Sequence, residues 1–334
     1  MSISLASLTL AITLAIVWRR MGPLTAGLLA VLMGTNGAWL YHTPRLVCEA
    51  LLTGLAGLLW LLLLTCRSSE TACESASDSS TPRWPRASLA GLLSGLVYLT
   101  KGTGLLLFGG VGLAFLILLN FQPTHRRRSL AALVAYSLTF LLISSPLLVR
   151  NTIRFGSPTY NVNSYLLWVD TYESPNAMAE KMTLPEARAA YLSTHSATQL
   201  IEREATGLAW ESFIGLRSLG PAPWDDARVL FGLPLFASGL LGLLHAPRFP
   251  AFVLVIWTAI IWGAMAWYVP IAAGDRFAMP LLIPWLTLAA DGMSRLALFK
   301  GESPGRIRIL LTGVTLWGVI TTLFVVTRTE LWSS

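Results

Sequence analysis

One lysine stands alone inside an apolar run. Thr100-Lys101-Gly102-Thr103-Gly104 interrupts the 35 residues from Ala87 to Phe121, which carry no other charge. An ammonium held at mid-membrane would cost about 2.5 to 3.5 kcal/mol, so the spacing predicts a turn at Lys101, at the edge of whatever apolar phase its flanks occupy. Arg45, Arg150, Arg154 and the pair Asp275-Arg276 also stand at the ends of apolar runs. Cations fixed at one level above apolar grooves suit a lipid whose phosphate head lies at the interface and whose tail enters the membrane. Arginine adds a bidentate fork for the phosphate. The plainer reading of each is a helix-end side chain reaching for water. Asp275 beside Arg276 is either a local ion pair or a carboxylate carried into the same site. Asp170, Glu173, Asp225 and Asp226 are further carboxylates that could accept a proton. His42, His125, His195 and His245 are scattered, so no metal centre is expected. No cofactor is predicted either; a divalent metal is compatible but not indicated. A Gly-rich phosphate loop, a HExxH helix and a nucleophile elbow are all absent from the sequence.

The elements that must position these groups follow from composition. Of 334 residues, 54% are hydrophobic and 12% charged, where soluble chains carry roughly a quarter charged residues. So much apolar surface does not fit inside one water-soluble core. It clusters instead into blocks near the 17 to 25 residues or so that a spanning helix needs. Leu/Ala/Gly runs without two-residue alternation select helices over a β-barrel. The expected class is therefore all-α, a polytopic integral membrane protein with about ten transmembrane helices and one large external loop. The formal net charge of +7 is spread in ones, twos and threes between the blocks, which reads as topology and not as nucleic-acid binding. Cys48, Cys66 and Cys73 have no metal-ligand spacing and are expected to be free thiols. The first block has no basic region ahead of it and runs into Trp18-Arg19-Arg20, so it reads as a membrane helix and not as a cleaved signal.

Spans are predicted near 3–18, 23–40, 46–65, 87–100, 102–120, 130–149, 229–244, 251–269, 276–291 and 308–326. The stretch from Ala87 to Phe121 divides in two because a single helix would run about 52 Å, against about 30 Å of hydrocarbon. With ten spans and an external N-terminus, thirteen of the 24 Lys and Arg residues fall in inner loops and four in the short outer connections and tail. The other seven lie in the long segment from Arg150 to Arg228. That asymmetry is the positive-inside pattern, and merging the two central spans would put Arg126, Arg127 and Arg128 outside. The chain thus divides into residues 1–149 with six spans and a flexible cytoplasmic linker at 66–86, an external loop at 150–228, and residues 229–334 with four spans.

Within the linker, Ser68 to Thr81 has almost no large apolar residue and reads as solvated chain. The external loop carries helix starts at Ser174-Pro175 and at Thr183-Leu184-Pro185-Glu186, the latter with capping-box spacing. From Ser196 to Leu216, the residues Leu200, Ile201, Ala205, Leu208, Ala209, Ser212 and Phe213 recur at helical spacing opposite Glu202, Arg203 and Glu211. This predicts an amphipathic helix on the membrane surface with Trp210 at the interface.

Three segments taken together carry a resemblance. They are Ala90-Gly91-Leu92-Leu93-Ser94-Gly95-Leu96-Val97-Tyr98-Leu99-Thr100-Lys101-Gly102-Thr103; the run from Pro146 through Arg150-Asn151 to Phe155-Gly156-Ser157-Pro158-Thr159-Tyr160-Asn161; and Asp275-Arg276-Phe277-Ala278-Met279-Pro280 with Pro284 beyond it. In order and spacing they resemble the polytopic glycosyltransferases of the GT-C class, specifically bacterial relatives of dolichyl-phosphate-mannose protein mannosyltransferases and aminoarabinose transferases, over about residues 1 to 326. The resemblance implies transfer of a sugar from a polyprenyl-phosphate carrier to a lipid, glycan or protein acceptor on the external face of a bacterial inner membrane. It implies that Lys101, Arg150 and Arg276 hold the donor phosphate, that Asn151, Tyr160 and Asp275 shape the site, and that the external loop covers it. The expected partners are that carrier-linked sugar, membrane lipids and further membrane subunits.

The pattern also departs from the class. Its members begin with a helix whose N-terminus is cytoplasmic, followed by an external loop with Asp and, close after it, Glu or Asp. Here the chain opens at what resembles a later helix, and no acidic residue precedes Glu49. No catalytic base is therefore assigned. An earlier start, a base supplied from elsewhere in the chain or by a partner, and a non-catalytic scaffold subunit of a membrane complex are the three expectations that remain. A transporter would need matched mid-membrane breaks or buried coupling carboxylates, and none is legible.

Overall fold

A computed structural model describes residues 2–45, 48–64, 82–121, 126–221 and 228–296. The tenth apolar block at 308–326, the Ser68–Thr81 segment, Cys66, Cys73, His125, Asp225 and Asp226 lie outside the described residues. The rest is an all-α protein with no strand among the described residues and one isolated bridge, Asn36 to Pro221.

The helices are α1 (Ser2–Met21), α2 (Pro23–Thr35), α3 (Gly37–His42), α4 (Glu49–Leu64), α5 (Trp84–Thr100), α6 (Gly104–Phe121) and α7 (Arg126–Phe155). After a 3-10 turn (Val162–Trp168) come α8 (Pro175–Lys181), α9 (Leu184–Thr194), α10 (Ala197–Leu219), α11 (Val229–His245), α12 (Arg248–Tyr268) and α13 (Asp275–Arg295). Five of them, α1, α6, α7, α12 and α13, are long and apolar enough to cross a membrane; α2, α4 and α11 are shorter apolar helices.

Helix α13 is the axis of the bundle and packs against α2, α4, α10, α11 and α12. Nearly all of it from Ala278 to Gly292 is buried, including Asp291, whose carboxylate accepts from Arg295 at 2.7 Å. Helices α5, α6 and α7 form a second group joined to α13 through α4 and α12. The break at Lys101 folds α5 and α6 into a hairpin: the Tyr136 hydroxyl of α7 lies 2.9 Å from Ser94 Oγ of α5 and donates to the Phe108 carbonyl of α6 at 3.1 Å. The two partners sit seven residues either side of Lys101. Gly91 lets α5 approach the Tyr136 carbonyl so closely that a Cβ there would collide with backbone.

After α7, residues 156–221 are structured. Thr183 and Glu186 form the predicted capping box, with Thr183 N–H donating to Glu186 Oε2 at 2.7 Å, and these bonds to the charged form hold the Glu186 carboxyl below its ordinary range. Tyr165, Leu166, Val169, Met178, Ala187 and Ile271 make a small apolar core over the end of α12. Helix α10 then crosses the bundle end. Arg203 meets Trp267 while Gly215 meets Trp262, so twelve residues of α10 traverse only five of α12.

The face that α10 buries corrects the sequence expectation. Gly207, Glu211, Ile214, Gly215, Ser218 and Leu219 face the protein, while Ile201, Leu208 and Trp210 are exposed. Arg203 is also turned inward, its guanidinium donating to the carbonyls of Trp267 and Val169 at 3.0 and 2.9 Å. The largest apolar side chains thus point away from the bundle, and two charges placed by periodicity on the solvated face are enclosed. The reason is steric. Gly207 admits the Ala266 carbonyl of α12 directly against the backbone, and no large side chain fits there.

Candidate functional site

One end of the bundle collects the residues of interest: the C-terminal ends of α3, α5, α7 and α12, the N-terminal ends of α4, α6, α11 and α13, and α10 lying across them. Glu49 in the first turn of α4 and Asp275 in the first turn of α13 sit where free backbone N–H groups favour a carboxylate.

Lys101 closes the turn between α5 and α6. Its N–H donates to the Val97 carbonyl at 3.1 Å and its own carbonyl accepts from Gly104 at 2.8 Å. Its ammonium donates to Glu49 Oε1 at 2.9 Å, with the two side chains 24% and 9% exposed, and lies 5.8 Å from the centre of the Phe277 ring. Lys101 and Arg276 line one crevice, together with Leu52, Thr103, Leu106, Ile261, Met265, Phe277 and Pro280. Its walls come from α4, the α5–α6 turn, α6, α12 and α13. Arg276 is exposed at the mouth, its guanidinium 4.7 Å from the Phe277 ring.

The other expected site residues are not among those lining this crevice. Arg150 is exposed on α7 and is not among the residues lining the crevice. Asn151 is buried and donates to the carbonyls of Pro158 and Tyr160, both at 3.3 Å, which ties the chain leaving α7 back onto the helix. Tyr160 stacks on Phe155 with centroids 4.1 Å apart. Asp275 does not pair with its neighbour Arg276. It accepts from Arg228 at 2.7 Å, from Arg217 at 3.2 Å and from Ser218 Oγ at 3.0 Å. Asp170 is held in a surface cluster, 3.2 Å from His195 Nε2 and from Tyr191 Oη and 3.4 Å from Arg203. Arg45 stacks over Tyr41 at 3.7 Å.

Sequence reasoning missed Glu49, Arg217, Arg228 and the place of His42. The charges of Glu49, Asp275, Arg45 and Arg276 all act on His42 at the end of α3. Glu49 had a legible signal: like Lys101, it is the sole charge of its apolar block, and two such charges of opposite sign are natural partners. Nothing local marks Arg217 or Arg228 as the partners of a residue nearly fifty positions or more downstream. Among the described residues no group of three or more His, Cys, Asp or Glu is arranged to hold a metal ion, and Cys48 is a free thiol.

The arrangement brings a lysine paired with one carboxylate and an exposed arginine to one crevice with a mainly apolar lining. Comparison with known proteins finds no matching family model, no matching curated relative and no matching solved structure.

Proposed function

We propose that this chain is an integral membrane protein of about ten spans that binds a polyprenyl-phosphate-linked sugar at the end bearing α8–α10 and acts in glycosyl transfer of the GT-C type. The observation that carries the reading is that Lys101 and Arg276, from distant parts of the sequence, line the same apolar crevice. A phosphate at its mouth would gain charge-assisted hydrogen bonds, and the rest of the crevice lining is mainly apolar.

Membrane insertion is supported by the surface. Leu138, Leu142 and Ile153 of α7 are 61, 71 and 79% exposed, a density of outward apolar side chains that water disfavours. Trp18, Trp84 and Phe121 are exposed at the end away from Lys101, as an interfacial aromatic belt would be. From Trp84 to Lys101 α5 rises about 26 Å, close to a hydrocarbon thickness. The lysine and arginine asymmetry favours the external side for the α8–α10 end, and the resemblance to the GT-C class implies a bacterial inner membrane. The outward apolar face of α10 then rests in the interface.

In such a transfer the acceptor hydroxyl attacks the anomeric carbon, the bond to the phosphate oxygen breaks, and the phosphate leaves with the electron pair. Cations on that phosphate stabilise the departing charge. That both Lys101 and Arg276 line the crevice supports this role for them, and Arg150, exposed on α7, is proposed as a contact for a larger head group. Phosphate binding displaces Glu49 from Lys101, which frees a carboxylate beside the crevice to accept the acceptor proton.

The test is direct. The purified chain in lipid nanodiscs should bind polyprenyl phosphate, and Lys101→Gln or Arg276→Gln should weaken binding about ten- to a hundredfold, the worth of a charge-assisted hydrogen bond. Unchanged affinity in both variants sinks the phosphate site. Sugar transfer from radiolabelled polyprenyl-phosphate donors then separates enzyme from scaffold: binding without transfer favours the non-catalytic subunit.

A further inference from the structure

Glu211 is the most enclosed charged side chain of the α8–α10 region. It has no exposed surface, and neither carboxylate oxygen has a hydrogen-bond partner. One turn to either side, Gly207 abuts the Ala266 backbone and Gly215 abuts the Trp262 ring. Glu211 thus lies on the face of α10 that turns towards the stretch Trp262–Gly263–Ala264–Met265–Ala266 of α12, which carries no charge. The charged groups that reach it are few. Asp275 of α13 acts against its ionisation and Arg217 of α10 favours it. Both are already engaged with each other, and Arg228 ahead of α11 takes the second oxygen of Asp275. Glu204, two turns earlier on α10, is another carboxyl pushed up by burial, and Arg203 beside it is committed to Trp267 and Val169.

An ionised carboxylate sealed among tryptophan, alanine and backbone, with no donor to receive it, is strongly disfavoured against the neutral acid. We propose that Glu211 is a buried proton-binding site that couples the docking of α10 onto α12 and α13 to pH: protonated, the helix is seated; ionised, its central turns lift and admit water to the carboxylate. Burial, with Asp275 adding repulsion, pushes the Glu211 carboxyl up from 4.5 to about 7. A raised carboxyl binds its proton more tightly in the docked state. Docking is therefore fully favoured below about pH 4.5 and weakens as pH rises towards 7, beyond which the loss is complete. The device sits over Asp275, next to Arg276 at the crevice mouth, so it would set how often that end of the bundle opens. The inference does not depend on which ligand the crevice takes.

Hydrogen exchange of the full chain in detergent micelles, read on peptides covering 207–219 and corrected for the intrinsic pH dependence of exchange, tests it. Between pH 5 and pH 8 the protection of these amides should fall roughly 70-fold, from the two pKa values above. In Glu211→Gln, which keeps the shape of the neutral acid, most of that slope should vanish and protection at pH 8 should exceed that of the unmodified protein. Glu211→Met, apolar and of similar length, should give the same result if the amide packs poorly. Peptides from 278–290 of α13 should stay unchanged in all three and report an intact bundle. A pH slope in 207–219 that persists in both variants, or no slope in the unmodified protein, overturns the proposal.

Discussion

Glu49 and Asp275 occupy equivalent places, each in the first turn of a helix at the same end of the bundle, yet they have been finished differently. Asp275 is saturated: two arginines and a serine from α10 and the start of α11 converge on one carboxylate, 13% exposed. It joins α10 and α11 to the central helix, with both oxygens already accepting from the protein. Glu49 has one cation, Lys101, and that cation borders an apolar crevice. A buried charge with several partners is a clamp. One with a single cation, and otherwise only the Cys48 thiol 3.6 Å from its second oxygen, is more readily exchanged, because an incoming anion can take the cation without leaving several groups stranded.

The largest expected effect lies at the clamp. Asp275→Ala removes the carboxylate that the partly buried Arg217 and Arg228 share, which should cost about 3 to 5 kcal/mol, read as a lower thermal midpoint in detergent. A loss below about 1 kcal/mol would show that the two regions do not differ as described. At the exchangeable pair, Lys101→Gln and Glu49→Gln should each destabilise by about 2 to 3 kcal/mol, and the double variant by much less than their sum. Additive effects would mean the pair is not coupled. Glu49→Gln should also strengthen phosphate binding, since Lys101 no longer holds an internal competitor; weaker binding would remove the competition argument.

Smaller again is Gly207→Leu. Forcing a side chain between α10 and the Ala266 carbonyl should cost about 1 to 3 kcal/mol and raise exchange around Asp275 while leaving the Glu49–Lys101 region unchanged. Equal loosening of both regions would break the distinction between them. Smallest is Arg150→Ala, at an exposed position that does not line the crevice, which should shift stability by no more than about 0.5 kcal/mol. Its effect on donor binding should be weaker than that of Arg276→Gln, and an equal loss would bring Arg150 into the phosphate site proper.

Much of the helical scaffold was legible because apolar runs and their interruptions are local properties. The break at Lys101 follows from one charge and two glycines in a run too long for one span, and the capping box at Thr183 from residues three apart. Helix α10 was legible as a helix but not in its facing. Periodicity ranks side chains by polarity, and here the buried stripe was chosen by the small size of Gly207 and Gly215. The same holds for the site. Lys101, Arg276 and Asp275 stood out as charges at the ends of apolar runs, but the partner of each charge came from another helix.

Sequence by itself determined what each segment of this protein had to be, because hydrophobicity, turn residues and lone charges act over a few positions. Only the tertiary structure decided which charges meet: Lys101 with Glu49, Asp275 with Arg217 and Arg228, Glu211 with none. Ion pairing depends on distance in space, and close approach is granted by glycines and helix crossings that leave no mark on polarity.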